Sequence, residues 1–155
     1  MNVLVWNYRG YGRSNGHPSP KHLTKDSDVI LKYLKETMGL RGFIGVYGRS
    51  LGGIVTTYLA DKVEMIIADR TFCNFKKLAV RKFYSSLSEY LFKFTSCNWS
   101  ANNDLNLLHK GVHTCYKVVI VDKEDEVIDV YSSLMTGVAE AFQKSHEYPK
   151  VFDQK

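Results

Sequence analysis

Apolar and polar positions along the chain fall into blocks whose period changes from one block to the next. Val3-Leu4-Val5-Trp6 is an apolar run closed by Asn7, which predicts a short buried strand. Residues 8–20 are rich in turn formers: Gly10, Gly12, Gly16, Pro18 and Pro20. Ser19 followed by Pro20 reads as an N-cap and the favoured first-turn proline of a helix. In that helix Leu23, Ile30, Leu34 and Met38 lie near a four-residue spacing, with Val29 and Tyr33 beside them, and Gly39 as the stop. Residues 43–47 predict a second strand, 48–53 a tight turn, 51–59 a helix, and 65–68 a third strand ending at Asp69. Residues 71–110 are less regular. Within them Val80, Phe83, Tyr84, Leu87, Leu91 and Phe94 form one helical stripe, a packing face or alternatively a lid over a substrate site. Residues 117–121 predict a fourth strand and 130–144 a closing helix.

Strands of four or five apolar residues alternating with helices predict an α/β fold with a mostly parallel sheet flanked by helices. No repeat or linker divides the chain, so residues 1–155 read as a single domain. Hydrophobic residues make up 45% and charged residues 24%, which argues against disorder. No apolar run approaches the roughly 18 residues of a transmembrane segment, and the first residues do not form a secretory signal. Cys73, Cys97 and Cys115 are odd in number and lack CxxC spacing, which argues against a disulfide scaffold or a metal site and fits a cytoplasmic setting. The net charge of +5 is spread over scattered lysines and arginines, which reads as a solvated surface and not as a nucleic-acid interface.

Val46 to Val55, VYGRSLGGIV, carries the chemistry. Ser50 follows a predicted strand and opens a predicted helix, with Gly48 and Gly52 two residues away on each side. A serine on such a turn is held in strained backbone, and small neighbours let the chain close around it. The turn aims the amide of Leu51 at the place where an oxyanion would form.

The chain here resembles the α/β-hydrolase superfamily, especially its serine-aminopeptidase-like and acyl-hydrolase-like branch. VLVWNYRGYGRSNG (residues 3–16) resembles the strand and loop upstream of the nucleophile, VYGRSLGG the nucleophile elbow, and VVIVDKEDEVID (residues 118–129) the strand and loop that carry the acid. MIIADRTF (residues 65–72) fits the strand between them. The resemblance implies Ser50 as nucleophile, Leu51 as an oxyanion amide and Asp125 as the acid, with Asp122 and Asp69 as rivals for that role. Asp69 directly precedes Arg70 and could simply pair with it. No cofactor is implied, and the substrate would be a small-molecule or peptide ester, thioester or amide.

The match breaks in two places. The superfamily order is serine, acid, histidine. The only histidine after Asp125 is His146, and about 15 residues of helix carry the chain roughly 22 Å away from the catalytic edge first. His113 precedes its strand and falls at the wrong edge, and His109 lies in the irregular stretch. His17 and His22 are expected at the right edge but match no superfamily position. Upstream, only Met1 and Asn2 precede Val3, where relatives have a further strand and the loop that donates the second oxyanion amide. Two readings follow. One is a serine hydrolase given only in part, lacking its histidine and one oxyanion donor. The other is a non-catalytic hydrolase-like protein whose sheet a protein partner completes.

Overall fold

The computed structural model of the chain describes residues 2–83 and 100–145. Helix α1 spans Pro20–Lys32, and the Ser19 hydroxyl accepts the backbone N–H of His22 at 3.2 Å as its N-cap. Its buried face is Pro20, Leu23, Ser27 and Leu31, in steps of three and four. The predicted stripe differs from this: Leu23 is buried, but Met38 is 60% exposed. The cause is a π-helical turn, Tyr33–Thr37, appended to α1. Its wider turn rotates less per residue and carries the last side chains off the inward face. Gly39, at φ +63°, ends the element as predicted.

Three parallel strands lie side by side among the described residues in the order β1 (Gly45–Arg49), β2 (Met65–Asp69) and β3 (Tyr116–Ile120). Each starts and ends within two residues of its predicted position. Arg49 is in register with Asp69, and Asp69 with Ile120. All three carboxyl ends therefore finish at one edge, where the Arg70 N–H extends the ladder to the Ile120 carbonyl at 2.8 Å.

A 3-10 turn, Ser50–Gly52, leads from β1 into α2 (Gly53–Tyr58). The other α-helices among the described residues are α3 (Phe75–Phe83), α4 (Asn103–His109) and α5 (Leu134–Ser145). Helix α2 packs on β1 and β2, α1 and α4 pack on α2, and α5 packs on α4. The core lies between sheet and helices, with Leu23, Ile54, Val55, Leu59, Ile66, Ala68, Leu107 and Leu134 at its centre. Helix α5 begins later than the predicted residue 130. Residues 130–134 first turn back on the chain after β2, where Ser133 pairs with Phe72 and the Leu134 N–H donates to the Thr71 carbonyl at 2.8 Å. The fold is thus α/β with a parallel sheet, as the alternating pattern predicts.

One predicted element does not form. Residues 3–6 make no strand, and Val3 and Val5 are 75% and 87% exposed. An apolar run becomes a strand only when a neighbour takes its backbone hydrogen bonds. Among the described residues β1 is an edge strand, and this run does not pair with it. Of residues 3–6 only Trp6 packs against the core, joined by Tyr8 just beyond. Of the predicted helical stripe, Val80 and Phe83 belong to α3, whereas Tyr84, Leu87, Leu91 and Phe94 lie outside the described residues, as does His146.

Candidate active site

The edge where β1, β2 and β3 end gathers the candidate residues. Ser50 directly follows β1 and has φ +52°, a conformation that non-glycine residues rarely adopt. Holding a residue there costs on the order of 1–3 kcal/mol, so neighbouring contacts must enforce it. They are present. A Cβ added at Gly48 would collide with Thr56 Oγ1 and the Gly52 carbonyl, so glycine is required there. Gly52, the other glycine of the predicted elbow, is different. Its backbone is right-handed helical, and the nearest atom to an added Cβ is the Tyr8 hydroxyl at 3.8 Å. The second steric demand falls instead on Gly53, which is packed directly against the Thr71 side chain. The sequence places Gly53 within the tight turn of residues 48–53 but assigns the close approach to Gly52, because the serine motif is symmetric about Ser50.

Three hydroxyls brace the turn. Thr71 Oγ1 donates to the Ser50 carbonyl at 2.6 Å, Thr56 Oγ1 to the Gly52 carbonyl at 3.0 Å, and Thr57 Oγ1 to the Gly53 carbonyl at 2.8 Å. Thr57 also reaches Asn103 Oδ1 at 3.3 Å, while Asn103 Nδ2 donates to the Phe72 carbonyl at 3.0 Å. All four side chains are buried. Leu51 is the second residue of the 3-10 turn, so helical bonding leaves its amide without a partner inside the turn.

The loop of residues 7–16 lies beside the elbow. Gly10, Gly12 and Gly16 all have positive φ, and Arg9 clamps Asp26 of α1 with two hydrogen bonds, Nε to Oδ2 at 2.7 Å and Nη2 to Oδ1 at 2.5 Å. Trp6, Tyr8 and Tyr11 stack edge-to-face in sequence. Burial, with Tyr11 nearby, pushes the Tyr8 hydroxyl above its ordinary pKa.

The acidic candidates separate by what their oxygens already hold. Asp69 accepts Tyr47 Oη on Oδ2 at 2.5 Å and Arg70 Nε on Oδ1 at 3.1 Å, so it does pair with its neighbour. The Tyr47 bond, with Arg70 beside it, holds this carboxyl below the usual carboxylate range. Asp122 accepts the Glu124 amide on Oδ1, and its Oδ2 lies 3.7 Å from Arg70 Nη1. In Asp125 both hydrogen bonds fall on Oδ1, from Val127 N at 2.8 Å and Ile128 N at 2.9 Å. The Ile128 and Val127 amides, with Arg70 and Arg49 nearby, lower its pKa and favour the carboxylate.

None of the described histidines is bonded to Ser50. His22 Nδ1 lies 3.1 Å from the His17 carbonyl, and His17 itself is exposed. His109 closes α4, and His113 precedes β3 and so sits at the far edge of the sheet. Among the described residues no group of three or more His, Cys, Asp or Glu side chains could hold a metal ion. No helix among them is long and apolar enough to cross a membrane.

Residues 1–83 match the family model described as Chlamydia CHLPS protein (DUF818). The chain is 31% identical to "Protein bem46" of Schizosaccharomyces pombe over 157 residues, covering 97% of this chain and 51% of that protein. It is 27% identical to "Lysophosphatidylserine lipase ABHD12" of Danio rerio over 140 residues, covering 81% of this chain and 36% of that protein. The chain therefore spans about half or less of the length of these relatives. The structure of the Pyrococcus furiosus esterase Pf2001 superposes with a TM-score of 0.59 over 89% of this chain and 55% of the esterase, at 17% identity, which shows a shared fold.

Proposed function

The chain belongs to the family described as Chlamydia CHLPS protein (DUF818), within the α/β-hydrolase superfamily, and from that premise we propose that it is the nucleophile-bearing part of a serine hydrolase acting on carboxylic esters or thioesters. The observation that carries this reading is Ser50 at φ +52° on a strand-to-helix turn, where Gly48 and Gly53 admit no side chain. The backbone strain lies at the residue whose hydroxyl would react, and strain of this kind concentrates at functional sites. Ser50 Oγ attacks the substrate carbonyl carbon and its proton passes to a base. The Leu51 amide faces the resulting oxyanion. Collapse breaks the bond to the alcohol or thiol, which leaves with the proton, and water then releases the acid from Ser50. Asp125 is the acid of this reading, because Oδ2 carries neither of its two hydrogen bonds, whereas Asp69 is occupied on both oxygens and Asp122 Oδ2 faces Arg70 Nη1 at 3.7 Å. Ester substrates are favoured over peptides because one relative is named a lipase and the structural neighbour an esterase.

The chain by itself is a weak catalyst on this reading. A serine hydroxyl is a poor nucleophile until a base takes its proton, and none of the described histidines is bonded to it. That same observation favours a second reading, a non-catalytic hydrolase-like protein completed by a partner. A fluorophosphonate probe on the purified chain, with Ser50→Ala as control, separates the two. Slow labelling confined to Ser50, faster when the full-length protein is used, is expected. A full-length protein with no labelling at Ser50 gives the non-catalytic reading instead.

A further inference from the structure

Thr71 stands one residue beyond Arg70, at the end of the stretch MIIADRTF that the sequence marks only as a strand, yet three constraints meet on it. Its hydroxyl donates to the Ser50 carbonyl at 2.6 Å. Its side chain packs directly against Gly53 at the start of α2. Its own carbonyl accepts the Leu134 amide at 2.8 Å, where the chain returns from the loop that carries Asp122 and Asp125. The residue is 2% exposed, so its hydroxyl has little access to solvent and is spent on the Ser50 carbonyl. The peptide that follows Ser50 shares its carbonyl with that bond and its N–H with Leu51. Fixing the carbonyl fixes the peptide plane, and with it the direction of the Leu51 N–H.

We propose that Thr71 is a positioning residue: its hydroxyl holds the Ser50–Leu51 peptide so that Ser50 keeps its left-handed conformation and the Leu51 amide stays aimed at the oxyanion site. The proposal deepens the hydrolase reading and, for its catalytic consequence, rests on it. Its structural part does not. A residue with positive φ places its amide and α protons close together, so the Ser50 conformation is visible in solution whatever the chemistry.

The test uses the 155-residue chain, labelled with 15N, as wild type, Thr71→Val and Thr71→Ser. Valine keeps the shape and removes the hydroxyl; serine keeps the hydroxyl and removes the methyl. The wild type and Thr71→Ser should show the strong intraresidue amide-to-α-proton cross-peak of a left-handed Ser50, and Thr71→Val should lose it. Labelling of Ser50 by the phosphonate probe should slow about 10- to 100-fold in Thr71→Val and stay near wild type in Thr71→Ser, as expected when a reacting group is misplaced. If valine prevents folding, Thr71→Ala carries the same expectation. A left-handed Ser50 that persists in Thr71→Val, equal loss in the serine and valine variants, or unchanged labelling in Thr71→Val overturns the proposal. Absence of labelling in the full-length wild type removes the hydrolase reading alone, since the cross-peak still decides whether Thr71 holds the turn.

Discussion

Gly53 carries a steric demand that the serine motif does not announce, and it separates two adjacent glycines by prediction. A methyl at Gly53 collides with Thr71, which lies in the core and cannot swing aside. Gly53→Ala is therefore expected to lower stability by about 1–3 kcal/mol, the usual cost of overpacking. At Gly52 the backbone is already right-handed helical and an added methyl has room. Gly52→Ala is expected to leave stability unchanged or raise it by about 0.4–1 kcal/mol through the unfolded chain. Urea unfolding of the two variants beside wild type reads the difference directly; equal midpoints would show that the Thr71 contact relaxes freely. The contrast bears on what a sequence can say at this scale. Ser50, Gly48 and the turn were legible because a strand end, a serine and small residues stand together in the chain. Gly53 and Thr71 were not, because the contact that constrains them joins residues 18 apart in sequence.

The elements are tied to one another through buried polar side chains as much as through apolar packing. Asn103, at the start of α4, accepts from Thr57 of α2 and donates to the Phe72 carbonyl after β2. It is fully buried, so each lost partner leaves a polar group without water. Asn103→Ala is expected to cost about 1–3 kcal/mol for the orphaned Phe72 carbonyl, and Asn103→Asp a comparable amount, since the carboxylate cannot donate. Thermal unfolding by circular dichroism measures both; a midpoint within one degree of wild type would remove the network from the list of stabilising contacts. The placement of the elements themselves followed from periodicity. β1, β2, β3 and the cap of α1 lie where apolar runs and Ser19-Pro20 put them. The π turn that throws Met38 outward has no signature in the spacing of Leu34 and Met38, because hydrophobic periodicity assumes a regular helix.

At the scale of the whole molecule, the sheet is covered on one face only among the described residues. Val46, Gly48, Ile66, Ala68 and Val119 face the helices, whereas on the alternate positions Tyr47, Tyr116, Val118 and Ile120 of the outer strands are exposed, Tyr116 by 73%, and Met65 and Ile67 of the central strand are half-buried. Parallel sheets are ordinarily buried on both faces, and an apolar patch of this kind binds amphiphiles. The isolated chain is expected to enhance the fluorescence of anilinonaphthalene sulfonate under native conditions, and Tyr116→Lys with Val118→Lys to weaken that signal without changing the far-ultraviolet spectrum. A chain that leaves the dye dark would mean that this face is covered. The alternation of short apolar runs with helical stretches determined the α/β class. The setting of Ser50 between a strand and a helix determined where the strained strand-to-helix turn lies. Both are local properties, written in periods of two and 3.6 and in the residues that bend a chain. Tertiary structure alone decided that residues 3–6 form no strand, because a strand exists only where another backbone pairs with it. It also decided how Asp69 is filled, since the pairing of β1 with β2 brings Tyr47 to its Oδ2, a contact that adjacency in the chain does not announce as it does the one to Arg70.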